Sequence, residues 1–314
     1  MPFTFHTHSG QFCRHASGNL EDVVKQAVAR KMLVLGLSEH VPRSRAQDLY
    51  PEEEGMTPTD LHTTFADYVA EARRLRAKYA GQIEIVIGAE TEYITCASLA
   101  ETKRLREQYG LDYIVGSLHH IDEMPLDFSQ PLYADIVERF GGDRAAMFRR
   151  YFEQQYELLR ALQPEVVGHF DLVRIFHPYD AGVADPLCAS DEVRRLALRN
   201  IEYAIGYGAV FEINSRAWKK GLRDAYPQRD MLREILERGG RVTISDDSHG
   251  PDDVCMHYGR LLGYLREMGI DRLHYLSRGG DGDDDGDKDG ARRARPCVLD
   301  NATEHEFWQA NGIA

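Results

Sequence analysis

Three imidazoles, His6, His8 and His15, fall within ten residues near the start of a chain that has 13 histidines in all. His6 and His8 alternate with Phe and Thr, unlike a polyhistidine tag. The same residue types recur in short clusters: Ser38-Glu39-His40, Gly88-Ala89-Glu90-Thr91-Glu92, Gly116-Ser117-Leu118-His119-His120, Gly168-His169-Phe170-Asp171 and Ser245-Asp246-Asp247-Ser248-His249. A lone His is more often a hydrogen-bonded structural residue than a ligand. Seven histidines and two carboxylates converging on one cavity are different, because burying them unpaired is costly. Divalent cations remove that cost, since neutral imidazole and carboxylate are ligands for zinc, iron or manganese. Nine donors are too many for one tetrahedral or octahedral ion; with one shared carboxylate they suit three. Water between two dications loses a proton near neutral pH, which gives a nucleophilic hydroxide.

Such convergence needs a scaffold. Short apolar runs at Phe3–Phe5, Leu33–Leu37, Ile83–Ile87, Tyr113–Val115, Val166–Val167, Val210–Ile213 and Val242–Ile244 read as strands. Between them, helical spacing is visible at Asn19–Arg30, Thr59–Tyr79, Ala97–Tyr109, Arg144–Leu162, Asp191–Tyr207, Gln228–Arg238 and Tyr258–Met268. Asn19 is of the N-cap type, with acids in the following turn. Alternating βα units imply parallel strands, in an open sheet or a closed barrel. His8, His40, Glu90, His119, His169, Asn214 and Asp247 each fall at or just past the C-terminal end of a different strand. A barrel brings such ends together and an open sheet does not. The expected fold is a distorted (β/α)7 TIM-like barrel, α/β in class, with residues 1–314 as one domain.

Hydrophobic content of 43% and charged content of 28% are ordinary for a soluble globular chain. Neither an apolar span nor a secretory signal is visible. The five cysteines are scattered and never spaced as CxxC, which favours a reducing compartment, the cytosol by default. A net charge of −13 disfavours nucleic acid as a partner. No membrane contact is expected, and the sequence specifies no oligomeric state. The Gly/Asp-rich stretch 278–295 is expected to be a disordered surface insertion. Asp281, Asp283, Asp285 and Gly286 imitate half of a calcium loop, but Arg292 stands where the bidentate Glu belongs.

His6-Thr-His8 with His15, Glu39-His40, Gly88-x-Glu90, Gly-Ser-x-His119, Gly-His169 and Asp247-x-His249 together resemble the PHP (polymerase and histidinol phosphatase) superfamily. The resemblance runs from the first strand to about Gly250. SEHVPR, GSLHH, VGHFDLVR, FEINSRAWKKG and ISDDSHG are similar to its histidinol-phosphatases of fungal type. The resemblance implies a trinuclear centre in which His6, His8, Glu90 and Asp247 hold the first ion. Glu90 would bridge to a second ion held by His119 and His169, and His15, His40 and His249 would hold the third. Family spacing favours His119 over His120, Asp247 over Asp246 and Glu90 over Glu92. Glu90, Asp247 and His249 are accordingly the expected catalytic groups.

The resemblance also places a basic phosphate anchor in each of two loops. Arg174 lies in one, and Lys219 and Lys220 in the other; relatives are expected to carry Arg near Lys219, and Arg216 is an alternative. Arg43 is a weaker candidate. Glu92, Asp171 and Asp246 are candidate acceptors for a substrate amine and imidazole, or partners that orient ligating histidines. The implied activity is hydrolysis of the small phosphate monoester L-histidinol phosphate, within histidine biosynthesis. The alternatives are a phosphoesterase acting on a small nucleotide, and a non-catalytic metal-binding barrel.

Overall fold

The computed structural model describes residues 2–279 and 293–313. Seven strands form the central sheet: β1 (Phe3–Thr4), β2 (Val34–Leu37), β3 (Glu84–Glu90), β4 (Tyr113–Gly116), β5 (Val166–Val167), β6 (Val210–Asn214) and β7 (Arg241–Ser245). Each runs parallel to the next in chain order, with registers such as Phe3 opposite Val34, Gly88 opposite Tyr113 and Val210 opposite Arg241. β1, β2, β4, β5 and β6 are buried at every position. That pattern belongs to parallel strands covered on both faces. The covering helices are α1 (Leu20–Ala29), α2 (Pro58–Lys78), α3 (Cys96–Tyr109), α4 (Arg144–Leu162), α5 (Asp191–Tyr207), α6 (Arg229–Glu237) and α7 (Tyr258–Met268).

The sheet curls into a nearly closed barrel. No ladder joins β1 to β7; side chains close that seam instead. Thr4 Oγ1 donates to Asp246 Oδ1 (2.9 Å) and the Tyr258 hydroxyl to the Phe3 carbonyl (3.0 Å). One step further on, Thr7–His8 pairs in parallel with Ser248–His249. Inside the barrel, the Tyr113 hydroxyl is hydrogen-bonded to the carbonyls of Phe5 (2.9 Å) and Leu37 (3.1 Å). Gly36 and Gly88 give that ring its room: a Cβ at either would come within 2.5 Å of it.

The elements follow the expected ones closely, with local differences. Asn19 holds the N-cap position of α1 but makes no capping bond, and Gln11 Oε1 accepts from the Leu20 amide instead. Pro58 and a Thr57–Asp60 capping box start α2. A helix at Gln130–Arg139 and an antiparallel hairpin, β8 (Leu273–Ser277) with β9 (Arg295–Leu299), were not legible as elements. Arg295, taken from sequence as the end of the acidic insertion, pairs with Ser277 as the first residue of β9. Residues 280–292, which include the calcium-loop imitation, lie outside the described residues. No described helix is long and apolar enough to cross a membrane.

Candidate metal centre

The C-terminal ends of the strands meet at Glu90, the last residue of β3. Its Oε1 lies 2.9 Å from His6 Nε2, 3.2 Å from His119 Nε2 and 3.2 Å from His169 Nε2. Its Oε2 lies 3.3 Å from His8 Nε2 and 3.1 Å from His40 Nδ1. Five imidazoles, from loops after β1, β2, β4 and β5, therefore surround one buried carboxylate. Asp247 comes from beyond β7 in the left-handed region (φ 48°), and its Oδ1 is 3.6 Å from His6 and 3.5 Å from His249. The His15 ring lies 5.4 Å from that of His40 and 5.2 Å from that of His249.

Carboxylates sit behind the imidazoles. Glu212 of β6 accepts from His6 Nδ1 (3.1 Å) and from the His169 amide (2.6 Å). Glu39 lies 3.5 Å from His8 Nδ1, and Glu92 lies 2.9 Å from His40 Nδ1 and 3.5 Å from His119 Nδ1. Asn214 bridges Glu212 and Asp247 through its amide nitrogen. Sequence reasoning missed Glu212 entirely. Its signal was available, an acid within the apolar run Val210–Ile213, which has to face a partner inside a barrel.

The electrostatics follow from this crowding. Burial alone would raise the carboxyls of Glu90, Glu92 and Asp247, but the surrounding imidazoles hold all three well below the usual range. Burial opposes charge on His6, His8 and His119 as well, yet the facing carboxylates push them up, His8 to about 9. His15, by contrast, is driven down to about 3 by burial and by the imidazoles of His40 and His8. The cluster therefore attracts positive charge at its centre and keeps neutral lone pairs at its edge. His6 Nε2, His8 Nε2 and both ring nitrogens of His40 are buried without a hydrogen bond. Divalent cations fit these donors: His6 with His8 and Asp247, and His8 with His40 and His249, place one ligand atom each within 4.8 Å of one another.

Above the cluster opens a cavity of about 270 Å³. Its floor includes Glu90, His119, His169, Asp247, His249, His15 and His40. His6 and His8 lie wholly buried beneath. His119, and not His120, faces the cavity; His120 stacks on Tyr50. Likewise Asp247 faces it while Asp246 secures the barrel seam. Of the expected basic anchors, Arg216 and Lys220 line the wall. The structure does not bring Arg174 there. Its buried guanidinium is held by Asp171, Asp185 and Asp230 at 2.7–2.9 Å. Lys219 also stands apart, turned to Asp253 (2.7 Å), and Arg43 is buried against Glu53, Glu92 and the Tyr50 ring. Glu92, Asp171 and Asp246 are buried away from the cavity lining. Besides Glu90 and Asp247, the acids that line it are Glu52 and Asp127, beside Tyr50 and Phe128, with Tyr226 as a further polar group.

Residues 4–216 match the PHP domain family. Over 317 aligned residues the chain is 46% identical to a Schizosaccharomyces pombe protein described as "Probable histidinol-phosphatase", covering 100% of this chain and 99% of that one. It is 31% identical to the histidinol-phosphatase of Saccharomyces cerevisiae over 301 residues, 86% of this chain and 89% of the relative. Among solved structures, the fold is similar to histidinol phosphate phosphatase from Lactococcus lactis, complexed with zinc, L-histidinol and phosphate. That likeness has a TM-score of 0.66 at 19% identity and covers 94% of this chain and 98% of the other.

Proposed function

Because the chain belongs to the PHP-domain family, we propose that it is a metal-dependent phosphomonoesterase that hydrolyses L-histidinol phosphate to L-histidinol and phosphate, a step of histidine biosynthesis. One observation carries the reaction class: a buried carboxylate, Glu90, ringed by five imidazoles at the floor of an open cavity. Likeness over the full chain to a histidinol-phosphatase carries the substrate.

In this reading His6, His8, Glu90 and Asp247 hold one divalent ion, Glu90, His119 and His169 a second, and His15, His40 and His249 a third. Zinc, iron and manganese all suit such donors. Bound there, the ions supply Lewis-acid charge to the phosphoryl oxygens and an activated water. The protein's part is positional. Glu212, Glu39 and Glu92 hold the far sides of His6, His8 and His119, fixing which nitrogens face the centre. Arg216 and Lys220 supply positive charge for the phosphate.

The cavity is also polarised. Its bases follow β6, whereas Glu52 and Asp127 follow β2 and β4. A substrate with a phosphate at one end and a protonated amine and imidazole at the other matches that division. A nucleotide, anionic at one end and neutral at the other, does not use the acidic wall. The same reading places the enzyme in the cytosol, and five unpaired cysteines support a reducing compartment.

The test is phosphate release from L-histidinol phosphate and from a panel of nucleotides, before and after chelation, with metal content measured on the same sample. Turnover should vanish with the metal and return when it is restored. A more than tenfold preference for a nucleotide would overturn the substrate, and active protein without stoichiometric metal would overturn the mechanism.

A further inference from the structure

Resting on the three-ion reading, we propose that Cys13 is a thiolate ligand of the third ion, beside His15 and His40. Its Sγ lies 3.2 Å from His15 Nε2, and single ligand atoms of Cys13, His15 and His40 lie within 4.8 Å of one another. The same closeness holds for Cys13, His8 and Glu39. Cys13 is 6% exposed and makes no disulfide.

A structural thiol that merely donated to His15 would explain less. It would leave Glu39 Oε2, buried and within ligand reach of Cys13, without a hydrogen-bond partner. Glu39 is only 2% exposed, so nothing from solvent compensates its free oxygen. A cation beside the sulfur places positive charge next to that oxygen.

Charge points the same way. The first ion would have two carboxylates and the second would share Glu90, but the third would have three neutral imidazoles and no anion of its own. A thiolate supplies the missing negative charge. Thiol and ion exchange one proton for one metal–sulfur bond, with the proton released to solvent. Sulfur also biases the position toward softer ions, zinc over manganese.

Cobalt(II) is the probe. The metal-free protein, refilled with cobalt alone, should bind about three ions and show a thiolate-to-cobalt charge-transfer band in the near ultraviolet. Cys13→Ser should lose that band and keep the visible bands of the remaining cobalt. Manganese should then be retained better relative to zinc than in the unaltered protein. Three ions without the band would overturn the sulfur ligand and leave the trinuclear centre standing. A band that survives in Cys13→Ser would assign the sulfur to another cysteine and overturn the proposal too. Failure to bind cobalt at all would fell the three-ion reading itself. Zinc K-edge absorption of the zinc-loaded unaltered protein needs no variant: a sulfur neighbour is expected, and purely nitrogen and oxygen neighbours would overturn the assignment.

Discussion

Glu90 turns one oxygen to His6, His119 and His169 and the other to His8 and His40. Replacing it by Gln keeps the shape and removes the shared negative charge. The Glu90→Gln variant should lose roughly a thousandfold in kcat, the worth of a preorganised electrostatic group, together with bound metal, while its circular dichroism stays unchanged. Turnover within a factor of two of the unaltered protein would rule out Glu90 as the bridge. Lys220 poses a separate question at the same scale. It is exposed and lines the wall where the phosphate is proposed to sit. Lys220→Ala should raise KM by about tenfold, the worth of one charge-assisted contact, with metal content unaltered. Lys219→Ala should leave KM nearly unchanged, because Lys219 Nζ is taken up by Asp253. Steady-state kinetics on the two variants separate the neighbours, and equal effects would contradict this division of roles.

Strands and helices decide whether those residues meet. The seam between β1 and β7 is the weak point of the ring, since side chains replace the missing ladder. Tyr258→Phe removes the hydroxyl that reaches the Phe3 carbonyl. A buried hydrogen bond of this kind is worth about 1–2 kcal/mol, so Tm should fall by roughly 1.5–3 °C for a chain of this size. Calorimetry checks it, and an unchanged Tm would show that the seam holds without this bond. The strands were legible because parallel strands covered on both faces are short apolar runs such as Tyr113–Val115 and Val166–Val167. The metal cluster was legible because its donors sit at fixed steps from those runs. Three-dimensional pairing was not. Arg174 and Arg216 look alike in sequence, yet Asp171, Asp185 and Asp230 claim the first and leave the second at the cavity. Glu52 and Asp127 gave no local signal either, because only the folding of the long loops past β2 and β4 brings them to one wall.

Across the whole molecule, the candidate site and the described flanks of the Gly/Asp-rich stretch lie at opposite ends of β3 and β4. The site is at the C-terminal ends of the strands, as in other barrels of parallel strands. The β8–β9 hairpin attaches at the other end. Ser277 Oγ donates to Glu84, the first residue of β3 (2.9 Å), Arg278 Nε lies 3.2 Å from Asp112, just before β4, and the Ala294 amide donates to the Asp112 carbonyl (2.9 Å). Both flanks of the acidic stretch are therefore fastened to the N-terminal ends of β3 and β4, a strand's length from Glu90. The antiparallel pairing of Ser277 with Arg295 already brings those flanks together. A shorter connection thus costs the hairpin little closure entropy, which changes only slowly with loop length. Removing Asp281–Gly290 should leave kcat and KM for L-histidinol phosphate within about twofold and Tm within a few degrees. A large loss of turnover with unchanged Tm would mean that the stretch acts on the site from across the barrel. A loss of both would mean that it supports the fold.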